Sequence, residues 1–202
     1  MKPLFLIGVA ACFLASGCDD SKNPLSDPKT SKADERLVGV WRQPGGDGDD
    51  SYVGHAGERF PNNVMRIVVV NNSNGELGTP DEYLAFTTVI GDKTYLNLVR
   101  DGDNKVVTRL DREGWKAAAV DCYTFLRYKF DGDKLVMWIM DEQAMQKAIQ
   151  SGKIKGVTKP FESPLFTDST ANLARFVAEA GDSLWNTKEP FRFERVNASK
   201  KP

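Results

Sequence analysis

The chain has 202 residues, 41% of them hydrophobic and 10% aromatic, with a formal net charge of −1. That composition can bury the core of one ordinary domain, which excludes a chain disordered throughout. With 27 basic against 28 acidic residues, it lacks the basic footprint of a nucleic-acid-binding protein, so no nucleic-acid partner is expected.

Lys2 gives the start a positive charge; an apolar run from Leu4 to Leu14 follows, then the small residues Ala15, Ser16 and Gly17. A basic start, an apolar stretch of about a dozen residues and a small-residue cleavage site describe a secretory signal peptide over residues 1–17. The run is shorter than the about 20 residues that a lasting transmembrane helix needs. Ala15-Ser16-Gly17-Cys18 resembles the lipobox of bacterial lipoproteins, where the cysteine thiol is diacylated, the preceding peptide is cut and the new amino terminus is acylated. One position departs from the family: Ala15 stands where Leu is usual, with Leu14 one residue further back. The resemblance implies that Cys18 is the lipid attachment site, carrying palmitate-type chains. It also implies a membrane-anchored protein of the bacterial cell envelope that faces the periplasm. Asp19, backed by Asp20, resembles the sorting signal that keeps enterobacterial lipoproteins in the inner membrane, so the inner membrane is expected over the outer.

Cysteine usage follows from this. Cys12 leaves with the signal and Cys18 is acylated, which leaves Cys122 alone. No intramolecular disulfide can then form, although the compartment would permit one. Cys122 lies in the strand-like run Val120-Asp121-Cys122-Tyr123-Thr124-Phe125-Leu126 and reads as a buried small hydrophobe.

Residues 18–33 are polar, carry Pro24 and Pro28 and show no apolar period; they read as a flexible tether. The folded domain is expected over 34–196, with a disordered polar tail over 197–202. Arg36 to Arg42 reads as a strand with Leu37, Gly39 and Trp41 on one face. Gly39-Val40-Trp41 is similar to the Gly-x-Trp that opens the first barrel strand of lipocalins and related calycins. The resemblance implies that the Trp plugs the closed end of a barrel and that the Gly lets the chain pack closely.

Pro44 to Pro61 reads as a long loop rich in Gly and Asp. Asp47, Asp49, Ser51 and Glu58 fall at positions one, three, five and twelve of an EF-hand, but Tyr52 stands where the sharp turn needs Gly. No calcium site is expected. His55, the only histidine, reads as an exposed loop residue, because one imidazole is poor material for a zinc site or a nucleophile–base pair.

Strands follow in series. Val64 to Val70 is β-branched and ends in a turn cluster, Asn71 to Gly75. Tyr83–Ile90 and Lys93–Val99 form a hairpin about Gly91-Asp92, since Gly supplies positive φ without steric cost. Val106 to Leu110 reads as a short strand, and Trp115 to Val120 as connecting structure. Tyr123–Phe130 and Lys134–Met140 form the clearest hairpin, turning at Asp131-Gly132-Asp133. In its first arm Thr124, Leu126, Tyr128 and Phe130 read as core, and Tyr123, Phe125, Arg127 and Lys129 as partly wet. Asp141 caps a helix over Glu142 to Gln150, with Met145, Ala148 and Ile149 as its apolar stripe and Gly152 as its stop. A second helix runs from about Ser169 to Ala180, with Leu173, Phe176, Val177 and Ala180 facing the core. Pro190 to Val196 is a last strand, with Phe191, Phe193 and Val196 nearly on one face, able to pair back and close a sheet.

About eight strands in meander order predict a mainly β protein: a single antiparallel lipocalin-like β-barrel with two short packed helices. It is similar to bacterial lipocalin-like lipoproteins of uncharacterised function. Eight-stranded barrels fill their interior or hold one small ligand. The expected function is therefore to bind a small apolar or amphipathic envelope molecule, with Trp41, Phe86, Tyr95, Trp115, Tyr128 and Trp138 as the aromatics that motivate it. The alternative is a non-catalytic accessory subunit docking on an envelope protein through the 44–61 loop. An enzyme is not expected, because the acidic residues sit mainly in turns and tails. No Gly-x-Ser-x-Gly, phosphate loop or His pair is present either. No catalytic residue, metal ligand or cofactor is assigned, and the ligand-binding residues are left open.

Overall fold

The computed structural model describes residues 20–45, 49–61, 63–70, 72–73, 76–100, 110 and 120–196. Eight strands form a closed antiparallel barrel. They are β1 (Gly39–Arg42), β2 (Asp50–His55), β3 (Met65–Val70), β6 (Asp81–Ile90), β7 (Lys93–Arg100), β8 (Thr124–Asp131), β9 (Lys134–Ile139) and β12 (Phe191–Arg195). Each pairs with the next in chain order, and β12 returns to β1 with Trp41 opposite Arg195. Closure leaves the barrel without an open sheet edge. Two short ribbons stand apart: β4 (Asn72–Ser73) with β5 (Glu76–Leu77), and β10 (Gly156–Val157) with β11 (Leu165–Phe166).

The hairpin turns fall where the sequence places them. Gly91 and Gly132, with φ of 62° and 63°, open the two-residue turns of β6–β7 and β8–β9. Helix α1 (Glu142–Gln150) starts at Asp141, whose carboxylate accepts the Ala144 N–H at 2.9 Å. Helix α2 (Thr170–Ala180) starts at Ser169 and ends at Gly181.

Alternation sorts the strand residues into two cores. One gathers Trp41, Met65, Ala85, Leu96, Leu98, Tyr128 and Leu135 with Leu37. Only the barrel interior brings together residues from β1, β3, β6, β7, β8 and β9. The other gathers Leu84, Phe86, Tyr95, Val99 and Phe125 with Met145, Ala148, Leu173, Phe176 and Val177 of the helices. This second core is the outer face of β6–β8, covered by α1 and α2. Phe125 and Tyr123, expected partly wet, are therefore 0% and 2% exposed. Their strand is sandwiched, and alternation alone does not say what covers its second face.

Other expectations need correction. Residues 20–33 are not a free tether: they lie as a strap that crosses the outer face of the barrel and reaches its end at Lys32, with Ser21, Leu25 and Pro28 buried. Ser21 bridges Tyr123 and Phe166, the Leu25 N–H donates to Asn97 Oδ1 at 2.7 Å, and Ser26 and Thr88 hydroxyls pair at 2.5 Å. Asn63 donates to the Pro28 carbonyl, and Thr87 to that of Lys32. Backbone groups and polar side chains hold the strap down, which is why its composition resembles that of a linker. Leu37 belongs to a 3-10 turn, Glu35–Leu37, rather than to the first strand. The expected 44–61 loop contains β2, a strand with no fully buried residue in which Val53 and Tyr52 are flanked by Asp50, Ser51 and Gly54, so the sequence shows no apolar alternation; His55 is its exposed last residue. Leu110, expected in a strand, is helical and buried; the rest of Val106–Arg109 and residues 115–119 lie outside the described residues. Cys122 is half-buried and its sulfur lies 3.3 Å from Lys22 Nζ. In β12 it is Arg195, not Val196, that shares the inward face with Phe191 and Phe193.

Candidate functional site: the barrel interior

Gly39 and Trp41 stand at one end of the barrel, just behind the 3-10 turn. Trp41 is 2% exposed and donates Nε1–H to the Leu37 carbonyl at 2.8 Å, which ties the turn across the barrel end. The Arg195 guanidinium lies 4.5 Å from the centre of the Trp41 ring and donates to the Val38 carbonyl at 2.7 Å and to the Arg36 carbonyl. A charge that donates to two backbone oxygens and lays its face on an indole can sit in a half-buried wall. Gly39 makes room for it. A Cβ there would lie 2.4 Å from Arg195 Nη1, and φ is +144°. Gly39→Ala is expected to cost about 1–3 kcal/mol, measured as a lowered urea midpoint, because the guanidinium cannot retreat without leaving its two carbonyls.

Asp34 completes the plug. Its carboxylate accepts from Arg36 N, Nε and Nη2 and from the Tyr128 hydroxyl at 3.1 Å. Burial works against its ionisation, but the hydrogen bonds from Arg36 and Tyr128 outweigh it and hold the carboxyl below its ordinary value. Burial, followed by the neighbouring Asp34 charge, pushes the Tyr128 phenol far up.

Beyond the plug the inward wall changes character. Val69 and Tyr83 are buried, whereas Val53, Ile67, Leu126, Met137, Ile139, Phe191 and Phe193 keep part of their surface. Gln43, just past β1, has a buried Oε1 without a hydrogen-bond partner. An inward ring of half-buried apolar side chains is a surface suited to an apolar body.

The six aromatics expected around a ligand divide. Trp41 and Tyr128 face inward. Phe86, Tyr95 and Trp138 face outward beneath the helices, and Trp115 lies outside the described residues. On that outer face Arg127 stacks on Trp138 at 4.6 Å and pairs with Asp182 at 2.6 Å, while Asp182 also accepts from Lys93 at 2.6 Å. Sequence pattern missed Arg195 and Gln43 because an isolated charge or amide in a strand reads as solvent-facing; only the Gly-x-Trp could have pointed to a partner for its indole.

Of the residues read as anchor and sorting signal, Cys18 and Asp19 lie outside the described residues. Asp20 is 6% exposed, and its Oδ2 accepts the Phe125 N–H at 2.6 Å.

Among the described residues, three carboxyls are held below their ordinary value. They are Asp34, Asp168 through the Asn172 side-chain amide and then the Ser169 and Lys155 N–H groups, and Asp182 through Lys93 and then Arg127. Each ionises more readily folded than unfolded, so below about pH 4 the unfolded chain binds more protons. The stability these groups contribute is present above that range and is lost as pH falls through their folded values. Thermal unfolding followed by circular dichroism is expected to show a midpoint that drops below about pH 4, with a shallower drop in Asp168→Asn. An equal drop in that variant would contradict the assignment.

No family model matches the chain, and no curated protein or solved structure matches it either.

Proposed function

We propose that the chain is a bacterial lipoprotein, anchored through Cys18 on the periplasmic side of a membrane. Its lipocalin-like barrel holds one small apolar or amphipathic envelope molecule. The observation that carries this reading is the half-buried inward wall of Ile67, Leu126, Met137 and Phe193 behind a plugged end. An apolar guest there loses contact with water over most of its surface.

Titration with the apolar fluorophore N-phenyl-1-naphthylamine tests the ligand. Wild type is expected to bind it with blue-shifted emission. Ile67→Trp, which fills the interior, is expected to bind about tenfold or more weakly, the effect of losing about 1.4 kcal/mol, while its unfolding midpoint stays near wild type. A wild type that ignores the probe, or a filled variant that binds it equally, would overturn the binding reading. For the anchor, Cys18→Ser is expected to leave a precursor without acyl groups that moves to the aqueous phase in detergent phase separation. A variant that still follows the detergent like wild type would overturn the lipobox reading.

A further inference from the structure

The β10–β11 hairpin presents the most exposed apolar side chain among the described residues. Phe161, at the tip between Pro160 and Glu162, has a relative exposure of 108% and a φ of 65°. A bulky aromatic in the left-handed region is a genuine outlier, and here the turn spends that conformation on holding the ring in water. The ion pair of Lys159 with Glu162 at 2.9 Å braces the loop on either side of it, and Val157 at its base is 42% exposed.

The same hairpin receives the start of the strap. Phe166 N–H donates to the Asp20 carbonyl at 2.8 Å, Lys22 N–H to the Phe166 carbonyl at 2.9 Å, and Asp20 N–H to the Tyr123 carbonyl at 2.9 Å. The Ser21–Phe166 bridge is parallel, so at Asp20 the chain runs back in the direction from which β11 comes, the side of the 158–164 loop. Two residues of chain reach at most about 7 Å, which bounds how far the Cys18 backbone can stand from Asp20. Five residues, about 17 Å at full stretch, bound the distance from Phe166 to Phe161.

We propose that the tip of the β10–β11 hairpin is a lipid-contact element in which Phe161 sits in the bilayer interface beside the acyl anchor. The proposal rests on acylation of Cys18. Because the strap is docked rather than loose, the anchor has no spacer, and the domain is seated on the bilayer in one orientation. Aromatic rings partition well into the interface. Tyr123 precedes β8 at the barrel end opposite the Trp41 plug, so that end of the barrel faces the membrane and an apolar guest has a short path to it.

The test uses the full acylated chain with Cys122→Ser, labelled with an environment-sensitive nitrobenzoxadiazole at Phe161→Cys or, at the plug end, at the turn residue Asp92→Cys. The protein is placed in vesicles of phosphatidylethanolamine and phosphatidylglycerol carrying nitroxide lipids, and its acyl mass is measured on the same sample. The label at 161 is expected to emit at shorter wavelength and to be quenched by the nitroxides, and the label at 92 to report water. An acylated chain whose 161 label reports water, is shifted without quenching, or is quenched no more than the 92 label overturns the seating while leaving the anchor intact. A chain whose mass shows no acyl groups overturns the anchor and the seating together.

Discussion

Trp41→Ala is expected to destabilise the protein by about 3–5 kcal/mol. The indole is 2% exposed and touches three separate parts of the chain. Its Nε1–H holds the Leu37 carbonyl, its face carries Arg195, and Phe130 stands 6.0 Å away. Truncation removes the buried ring, leaves the Leu37 carbonyl without its donor and strips Arg195 of its stacking surface, so three losses coincide. Trp41→Phe keeps most of the packing and is expected to cost only about 1–2 kcal/mol, the scale of one buried hydrogen bond. The double variant with Arg195→Ala should lose less than the sum of the singles, because the two side chains share one interaction. Urea unfolding at constant slope measures all four proteins. A Trp41→Ala loss below about 0.5 kcal/mol, ordinary for a surface site, would contradict the plug.

Asn97→Ala is expected to cost about 2–4 kcal/mol and to loosen the strap before the barrel opens. Asn97 is 0% exposed; it accepts the Leu25 N–H at 2.7 Å and donates to the Phe86 carbonyl at 3.2 Å and to Thr88 Oγ1 at 2.8 Å. Alanine leaves the Leu25 N–H buried without its acceptor, the expensive half of a broken hydrogen bond. Deuterium exchange should rise at the Leu25 amide while amides within β7 and β8 stay protected, since the strand ladders do not depend on the strap. Exchange at Leu25 as slow as in wild type would mean that other contacts suffice to hold it.

How far the sequence can be read follows from the range of the forces involved. The hairpins β6–β7 and β8–β9 were legible because alternation and a Gly-Asp turn are local signals, and the two helices because Asp141, Ser169, Gly152 and Gly181 mark their ends. Closure of a meander barrel was legible from the series of strands and from a final strand able to return, although β2 was read as loop and a strand was expected at 106–110, where Leu110 is helical. The strap was not, because Leu25 and Pro28 are too few to make a period and its partners Asn97 and Tyr123 lie far along the chain. The wet reading of Tyr123 and Phe125 failed because α1 and α2 cover that face only in three dimensions. At the plug, Gly39 and Trp41 were visible as a pair, whereas Arg195, a charge in the last strand, carries no local mark of the indole it covers.

Native mass spectrometry of the protein extracted in mild detergent, with organic extraction of whatever accompanies it, tests the central claim most directly. The account predicts one lipid or small apolar molecule per chain in addition to the acyl groups on Cys18, displaced in Ile67→Trp. A lipoprotein mass with no companion molecule, unchanged by that substitution, would contradict a ligand-holding barrel.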